Sequence, residues 1–86
     1  MEYQILLSDK AERFLKKIDN SYRQRIIDKL KELRFNPKIG KPLTANLAGF
    51  WSLRIGKYRA IYKIEDGRLI VLIFDISHRK DIYDNA

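Results

Sequence analysis

The sequence contains no cysteine. That removes a disulfide framework, a thiolate metal site and a cysteine nucleophile together. It also fits the reducing cytoplasm in which this chain is expected to act. There is one histidine, His78, and the carboxylates are scattered, so neither a metal site nor any other cofactor is expected. No glycine-rich phosphate loop and no Ser-His-Asp pattern is present. No apolar run approaches the roughly 20 residues that cross a bilayer. Residues 1–18 carry Glu2, Asp9, Lys10, Glu12, Arg13, Lys16 and Lys17, so neither a secretory leader nor membrane association is expected. Repeats and low-complexity tracts are also missing.

What the chain does have is positive charge. Eighteen Lys and Arg face eleven Asp and Glu, a formal +7 on 86 residues. Residues 1–86 are expected to form one small domain with a thin core, burying about 60–65% of the surface exposed on unfolding. A body this small with that excess attracts polyanions, of which nucleic acid is the commonest. An acidic protein partner is the other reading.

The elements read β-α-α-β-β-β followed by a short polar tail. Residues 2–7 are a strand by composition. Ser8 and Asp9 are candidate helix N-caps, and Asp9 with Glu12 has capping-box spacing. Ala11, Phe14, Leu15 and Ile18 recur at helical spacing. Asp19-Asn20-Ser21 breaks this helix and can cap the next. The second helix carries Tyr22, Ile26, Leu30 and Leu33 in one stripe, with Arg23, Arg25, Lys29, Lys31 and Arg34 largely elsewhere. It ends before Pro37, because the residue preceding proline avoids helical angles. A loop over 36–49 follows. Three strands are expected over 50–55, 58–64 and 68–76, with Gly56-Lys57 forming a type II′ turn and Asp66-Gly67 a type I′ turn. The fold class is therefore α+β. Two N-terminal helices pack on one face of a small, mainly antiparallel four-stranded sheet.

Two-residue turns fix the cross-strand partners. Ile55 should face Tyr58, Arg54 should face Arg59, and Trp51 should face Tyr62. In the second hairpin Ala60 should face Ile73 and Arg59 should face Phe74. The face bearing Trp51, Leu53, Ile55, Tyr58, Ala60, Tyr62, Val71 and Ile73 is the natural seat for the helices. The open face then holds Ser52, Arg54, Arg59, Ile61, Lys63, Leu72, Phe74 and Ile76. Two arginines meeting across strands repel, by up to about 1 kcal/mol. Such a pair splays into water or holds an anion. His78 continues the parity of Ile76 and is followed by Arg79 and Lys80, so these cations are expected to converge on the same open face.

The stretch Leu53-Arg54-Ile55-Gly56-Lys57-Tyr58-Arg59-Ala60-Ile61-Tyr62 and the ending Ile76-Ser77-His78-Arg79-Lys80-Asp81-Ile82-Tyr83, set in this layout, resemble toxins of the RelE/ParE superfamily. The resemblance covers essentially the whole chain. The Leu-Arg-x-Gly-x-Tyr-Arg-x-x-Tyr segment is specific to that superfamily. The His-Arg-x-x-x-Tyr ending points to its RNA-cleaving branch. Resemblance to that branch implies a RelE-like fold and the toxin of a type II toxin–antitoxin system. It implies cleavage of messenger RNA in the ribosomal A site, and a RelB-like antitoxin that wraps the idle toxin. Arg59 then matches the strand arginine that stabilises the transition-state phosphate. Arg54 matches a position, often lysine, near the nucleophilic 2′-hydroxyl. Arg79 matches an arginine that contacts the phosphate or leaving group. Tyr83 matches a tyrosine that orients or stacks on a base, and His78 stands where several relatives have a catalytic histidine. Ser52 departs from the lysine of some members, and many relatives continue beyond the position of Ala86.

The chemistry asked of these residues is simple. RNA supplies its own nucleophile, the 2′-hydroxyl beside the scissile phosphate. A protein must deprotonate it, stabilise the charge gathering on phosphorus and protonate the departing 5′-oxygen. Arginine suits the middle task, because it stays charged and grips phosphate oxygens in pairs. His78, with an ordinary pKa near 6.5, is the best sequence candidate for proton transfer. Tyr83 or a lysine could share that role. Lys41 in the long loop, Lys57 at the hairpin tip and Lys80 in the tail are candidate contacts to RNA phosphates. Trp51, Tyr58 and Tyr62 lie on the core parity and are expected to pack rather than stack on bases. Two other functions fit the same sequence. One is a ParE-like toxin that binds a protein target such as DNA gyrase. The other is a non-catalytic RNA-binding or repressor subunit.

Overall fold

The structure, a computed structural model, describes residues 2–78. The elements are β1 (Gln4–Leu7), α1 (Asp9–Lys17), α2 (Asn20–Lys31), β2 (Lys41–Pro42), β3 (Phe50–Ile55), β4 (Tyr58–Glu65) and β5 (Ile70–His78), with short 3₁₀ turns at Glu32–Arg34, Pro37–Ile39, Ala45–Leu47 and Asp66–Arg68. The strands form one sheet in the order β1-β5-β4-β3-β2. β1 runs parallel to β5, and the other neighbours are antiparallel. The α+β class and the helix-on-sheet arrangement stand. The sheet has five strands rather than four, because Lys41–Pro42 adds a two-residue edge beside β3.

Helix α1 starts at Ser8, whose Oγ accepts from the backbone N–H of Ala11 at 3.1 Å. The cap is therefore Ser8, and Asp9 and Glu12 sit inside the first turn, where their charge favours the positive end of the helix. Ser8→Ala should destabilise the domain by about 1 kcal/mol, read as a fall in melting temperature. At the other end the guanidinium of Arg23 donates to the carbonyls of Leu15 (2.6 Å), Lys16 (3.3 Å) and Ile18 (3.0 Å). A side chain from α2 thus closes the C-terminus of α1 and fixes the angle between the helices. Asp19 occupies the N-cap position of α2 but makes no capping hydrogen bond through its side chain.

The core lies between the helices and the face expected to carry them. Ala11, Leu15, Ile26, Leu30 and Leu33 pack on Leu53, Ile55, Ala60, Tyr62, Val71 and Ile73, all buried. Tyr62 has no accessible surface, yet its hydroxyl is satisfied. It donates to the Pro37 carbonyl at 2.6 Å and accepts from Gly40 N–H at 3.2 Å. Burial pushes the phenol pKa up, and the Gly40 N–H partly offsets this. This hydroxyl pins the loop carrying β2 to the sheet. No helix among the described residues is long and apolar enough to cross a membrane.

Candidate functional site

The first hairpin places its arginines as expected. Ile55 pairs with Tyr58 across Gly56-Lys57, and φ is positive at Gly56 (+59°) but not at Lys57, as a type II′ turn requires. Arg54 is consequently the direct partner of Arg59, on the sheet face turned away from the core. Arg54 is exposed and Arg59 half-buried. Lys41 of β2 pairs with Ser52, which in turn pairs with Ile61, so Lys41 borders the same face.

These side chains line a groove of about 460 Å³ along the β2–β3 edge. Among the described residues its cations are Lys29, Lys41, Arg54 and Arg59, and no carboxylate lines it. A depression on α2's side of Arg54 contains Asp28 and Glu32 as well as Arg25 and Lys29. The groove is therefore a bounded zone of one sign, suited to an anion the size of a phosphodiester.

The second hairpin departs from expectation, and the departure moves His78. Asp66-Gly67 does not form a two-residue type I′ turn. The chain makes a 3₁₀ turn at Asp66–Arg68, and Leu69 takes the left-handed conformation (φ +53°, ψ +48°). Glu65 then pairs with Ile70. Further along, the pairs Tyr62–Ile73 and Ile61–Asp75 leave Phe74 unmatched, a β-bulge in β5. The expected pairs Ala60–Ile73 and Arg59–Phe74 are replaced by Ala60–Ile76 and Arg59–Ser77. Ile76 turns into the core, where it is buried, instead of lying on the open face.

His78 follows Ile76 to the core side and pairs with Tyr58. Its ring lies edge-on to Tyr58, with centroids 5.7 Å apart. Tyr58 also meets Phe14 of α1 and Tyr22 of α2 edge-on, so the imidazole joins an aromatic cluster under the helices. The expected convergence of His78 with Arg54 and Arg59 does not occur, because the bulge flips the parity of the strand end. Ser77 takes the place opposite Arg59. Lys57 does not line the groove. Its ammonium sits 4.9 Å from the centroid of the Tyr22 ring. Arg79, Lys80 and Tyr83 lie outside the described residues.

Sequence reasoning missed Lys29 and Ser77 as neighbours of the arginine pair. Lys29 sits on a helix whose approach to the sheet edge is a tertiary fact. Ser77 needs the bulge to be known. A second concave region, about 740 Å³, lies between α1 and the open face. Phe50, Ile61 and Phe74 supply its apolar floor, Lys10, Arg13 and Lys17 line the α1 side, and Asp75 within it pairs with Lys10 at 3.7 Å. Among the described residues no group of three or more His, Asp or Glu is placed to hold a metal ion.

Comparisons with known proteins agree with this architecture. A family model described as the ParE toxin of the type II toxin–antitoxin system parDE matches residues 5–83. Toxin RelG of Mycobacterium tuberculosis is 48% identical over 46 residues, covering 54% of this chain and 53% of that protein. The chain spans about half the length of the curated relatives it matches. Among solved structures, the toxin–antitoxin complex RelBE2 of Mycobacterium tuberculosis contains a similar chain, with a TM-score of 0.85 and 32% identity over 92% of this chain and 93% of that one. A chain of the intact Escherichia coli RelBE complex shares the fold, with a TM-score of 0.74 and 20% identity over 88% and 95% of the two chains.

Proposed function

This chain belongs to the ParE toxin family of type II toxin–antitoxin systems and is a RelE-like toxin, and from that membership we propose that it is a metal-independent endoribonuclease, an mRNA interferase that cuts messenger RNA on the ribosome and halts translation. One observation carries the reading. Arg54 and Arg59 meet across a tight hairpin, in a groove that also holds Lys29 and Lys41 and that no carboxylate lines among the described residues. Two opposed guanidiniums repel each other, and an anion held between them relieves that repulsion.

In this reading the scissile phosphate enters between the two arginines. The adjacent 2′-hydroxyl attacks phosphorus, and the phosphorus–5′-oxygen bond breaks, leaving a cyclic phosphate and a free 5′-hydroxyl. Arg59, held half-buried on the middle of the open face, meets the charge developing on the nonbridging oxygens. Arg54, at the exposed end, favours ionisation of the attacking hydroxyl. Preorganised cations aimed at developing charge act most strongly where they are partly shielded from water, which favours Arg59. Arg79 and Tyr83 remain the proposed partners for the leaving group and for the base. His78, on the core side of β5, is given no part in the proton transfers. His78→Ala should consequently retain far more activity than Arg59→Ala, and equal losses in the two variants would contradict this division.

The proposed partner in the idle state is a RelB-like antitoxin, acidic or presenting an amphipathic helix. The concave region floored by Phe50, Ile61 and Phe74 and flanked by Lys10, Arg13 and Lys17 suits such a helix. A second reading, a ParE-like toxin that binds DNA gyrase and leaves RNA intact, is favoured by two observations. The matching family model is that of ParE, and His78 faces the opposite side of the sheet from the arginines. Primer-extension mapping of a translated message, with and without ribosomes, separates the two. New 5′ ends on expression support the ribonuclease. Intact messages with DNA damage support the second reading.

A further inference from the structure

The cations of α2 do not form one basic face. Arg23 is engaged at the C-terminus of α1, and Arg34, just past the helix, pairs with Glu2 at 2.9 Å. Lys31 borders an apolar cleft against β1. Arg25 lies beside the hairpin tip. Lys29 alone lines the groove that contains Arg54, Arg59 and Lys41.

We propose that Lys29, together with Lys41, binds the phosphate next to the scissile one, so that the groove is a two-phosphate track for single-stranded RNA. The inference rests on reading the groove as the RNA-cleaving site. Arg54 and Arg59 occupy one cross-strand pair, and Lys41 stands two positions along the same face, as the partner of Ser52. Lys29 approaches from α2. A nucleic-acid strand presents anions at regular intervals, and Lys41 is offset from the arginine pair by two strand positions, about 6.7 Å along the strand. Beyond Lys29 the lining is mixed, with Asp28 and Glu32 among Arg25, Lys29 and Arg54. The purely cationic stretch therefore ends there.

Lys29 is currently held 3.4 Å from Glu32, and the two side chains are 39% and 55% exposed. A pair this exposed has little net worth, so a phosphate displaces the carboxylate. Glu32 thus acts as a competitor, and this gives the test two opposite signs.

The probe is a short single-stranded RNA carrying 2′-O-methyl groups, which removes the nucleophile and prevents cleavage. Its affinity is measured by titration across a range of salt concentrations. Lys29→Gln should lower the slope of log affinity against log salt by about 0.7, equivalent to about fivefold weaker binding at about 0.1 M salt. Glu32→Gln should tighten binding, and that gain should vanish in the Lys29→Gln background. Lys16→Gln, on exposed α1 and paired with Glu12, should leave the slope unchanged and controls for net charge. Lys29→Gln matching Lys16→Gln, in a protein whose cleavage still depends on Arg59, overturns the track and spares the ribonuclease. Loss of dependence on Arg59 overturns the ribonuclease itself. Weaker binding of a short polyglutamate peptide, with RNA binding unchanged, overturns the track in favour of an acidic protein segment.

Discussion

Arg59→Ala should abolish growth arrest on expression and slow single-turnover cleavage by about 10²- to 10³-fold, the effect of removing about 3–4 kcal/mol of transition-state stabilisation. The fold should survive. Arg59 lies on the face away from the core, opposite Arg54, and removing one of two like charges relieves up to about 1 kcal/mol of repulsion. The circular dichroism spectrum and cooperative unfolding should therefore be kept while activity disappears. That combination distinguishes a catalytic loss from a folding loss. Arg54→Ala should cost less, because Arg54 is exposed and its charge is better screened. Arg79→Ala is expected to abolish growth arrest as well. Full toxicity in the Arg59→Ala/Arg79→Ala double variant, expressed at wild-type level, would remove the basis for an RNA-cleaving site.

Gly40→Ala should be the most damaging single methyl addition in the described chain. A Cβ at Gly40 would lie 2.5 Å from the Ser52 carbonyl oxygen and 2.6 Å from the Tyr62 hydroxyl. Neither atom can step aside freely. One is backbone in β3, and the other is the hydroxyl of a buried ring, already hydrogen-bonded to Pro37 and Gly40. Overpacking of this kind costs about 1–3 kcal/mol, and each kcal/mol shifts the melting temperature of a domain this size by about 4–8 °C. The strain should be relieved by lifting β2 off β3, which carries Lys41 away from Ser52 and weakens RNA binding as well. Gly67→Ala supplies the comparison, since nothing lies within 4 Å of its added Cβ. Equal melting temperatures for the two variants would show that the loop is not pinned as described.

How far the sequence could be read follows from where its pattern carries information. The first hairpin was legible because Gly56-Lys57 is a turn of defined length and β3 alternates, with Leu53 and Ile55 inward and Arg54 outward. One observation at the turn then sets every pair, including Arg54–Arg59. The second hairpin was not legible. The run Leu69-Ile70-Val71-Leu72-Ile73-Phe74 is apolar at every position, so a slip of register exposes nothing that its hydrophobic pattern would penalise. Asp66-Gly67 has the composition of a tight turn, yet Leu69 in a left-handed conformation lengthens it. The bulge at Phe74 leaves no mark in composition. The longer turn shifts the register by two residues and keeps the parity, and the bulge then turns His78 to the core side. β2 was missed because two residues, one of them proline, give no periodicity.

The pairing of Gln4–Leu7 with Ile70–Ile73 has a bearing on the order in which the sheet assembles. Contacts of such long sequence separation form late and slowly, because the whole intervening loop must be closed first. The β3–β4 hairpin joins near neighbours and needs no such closure. Assembly of the sheet is therefore expected to end with the parallel ladder at its β1 edge.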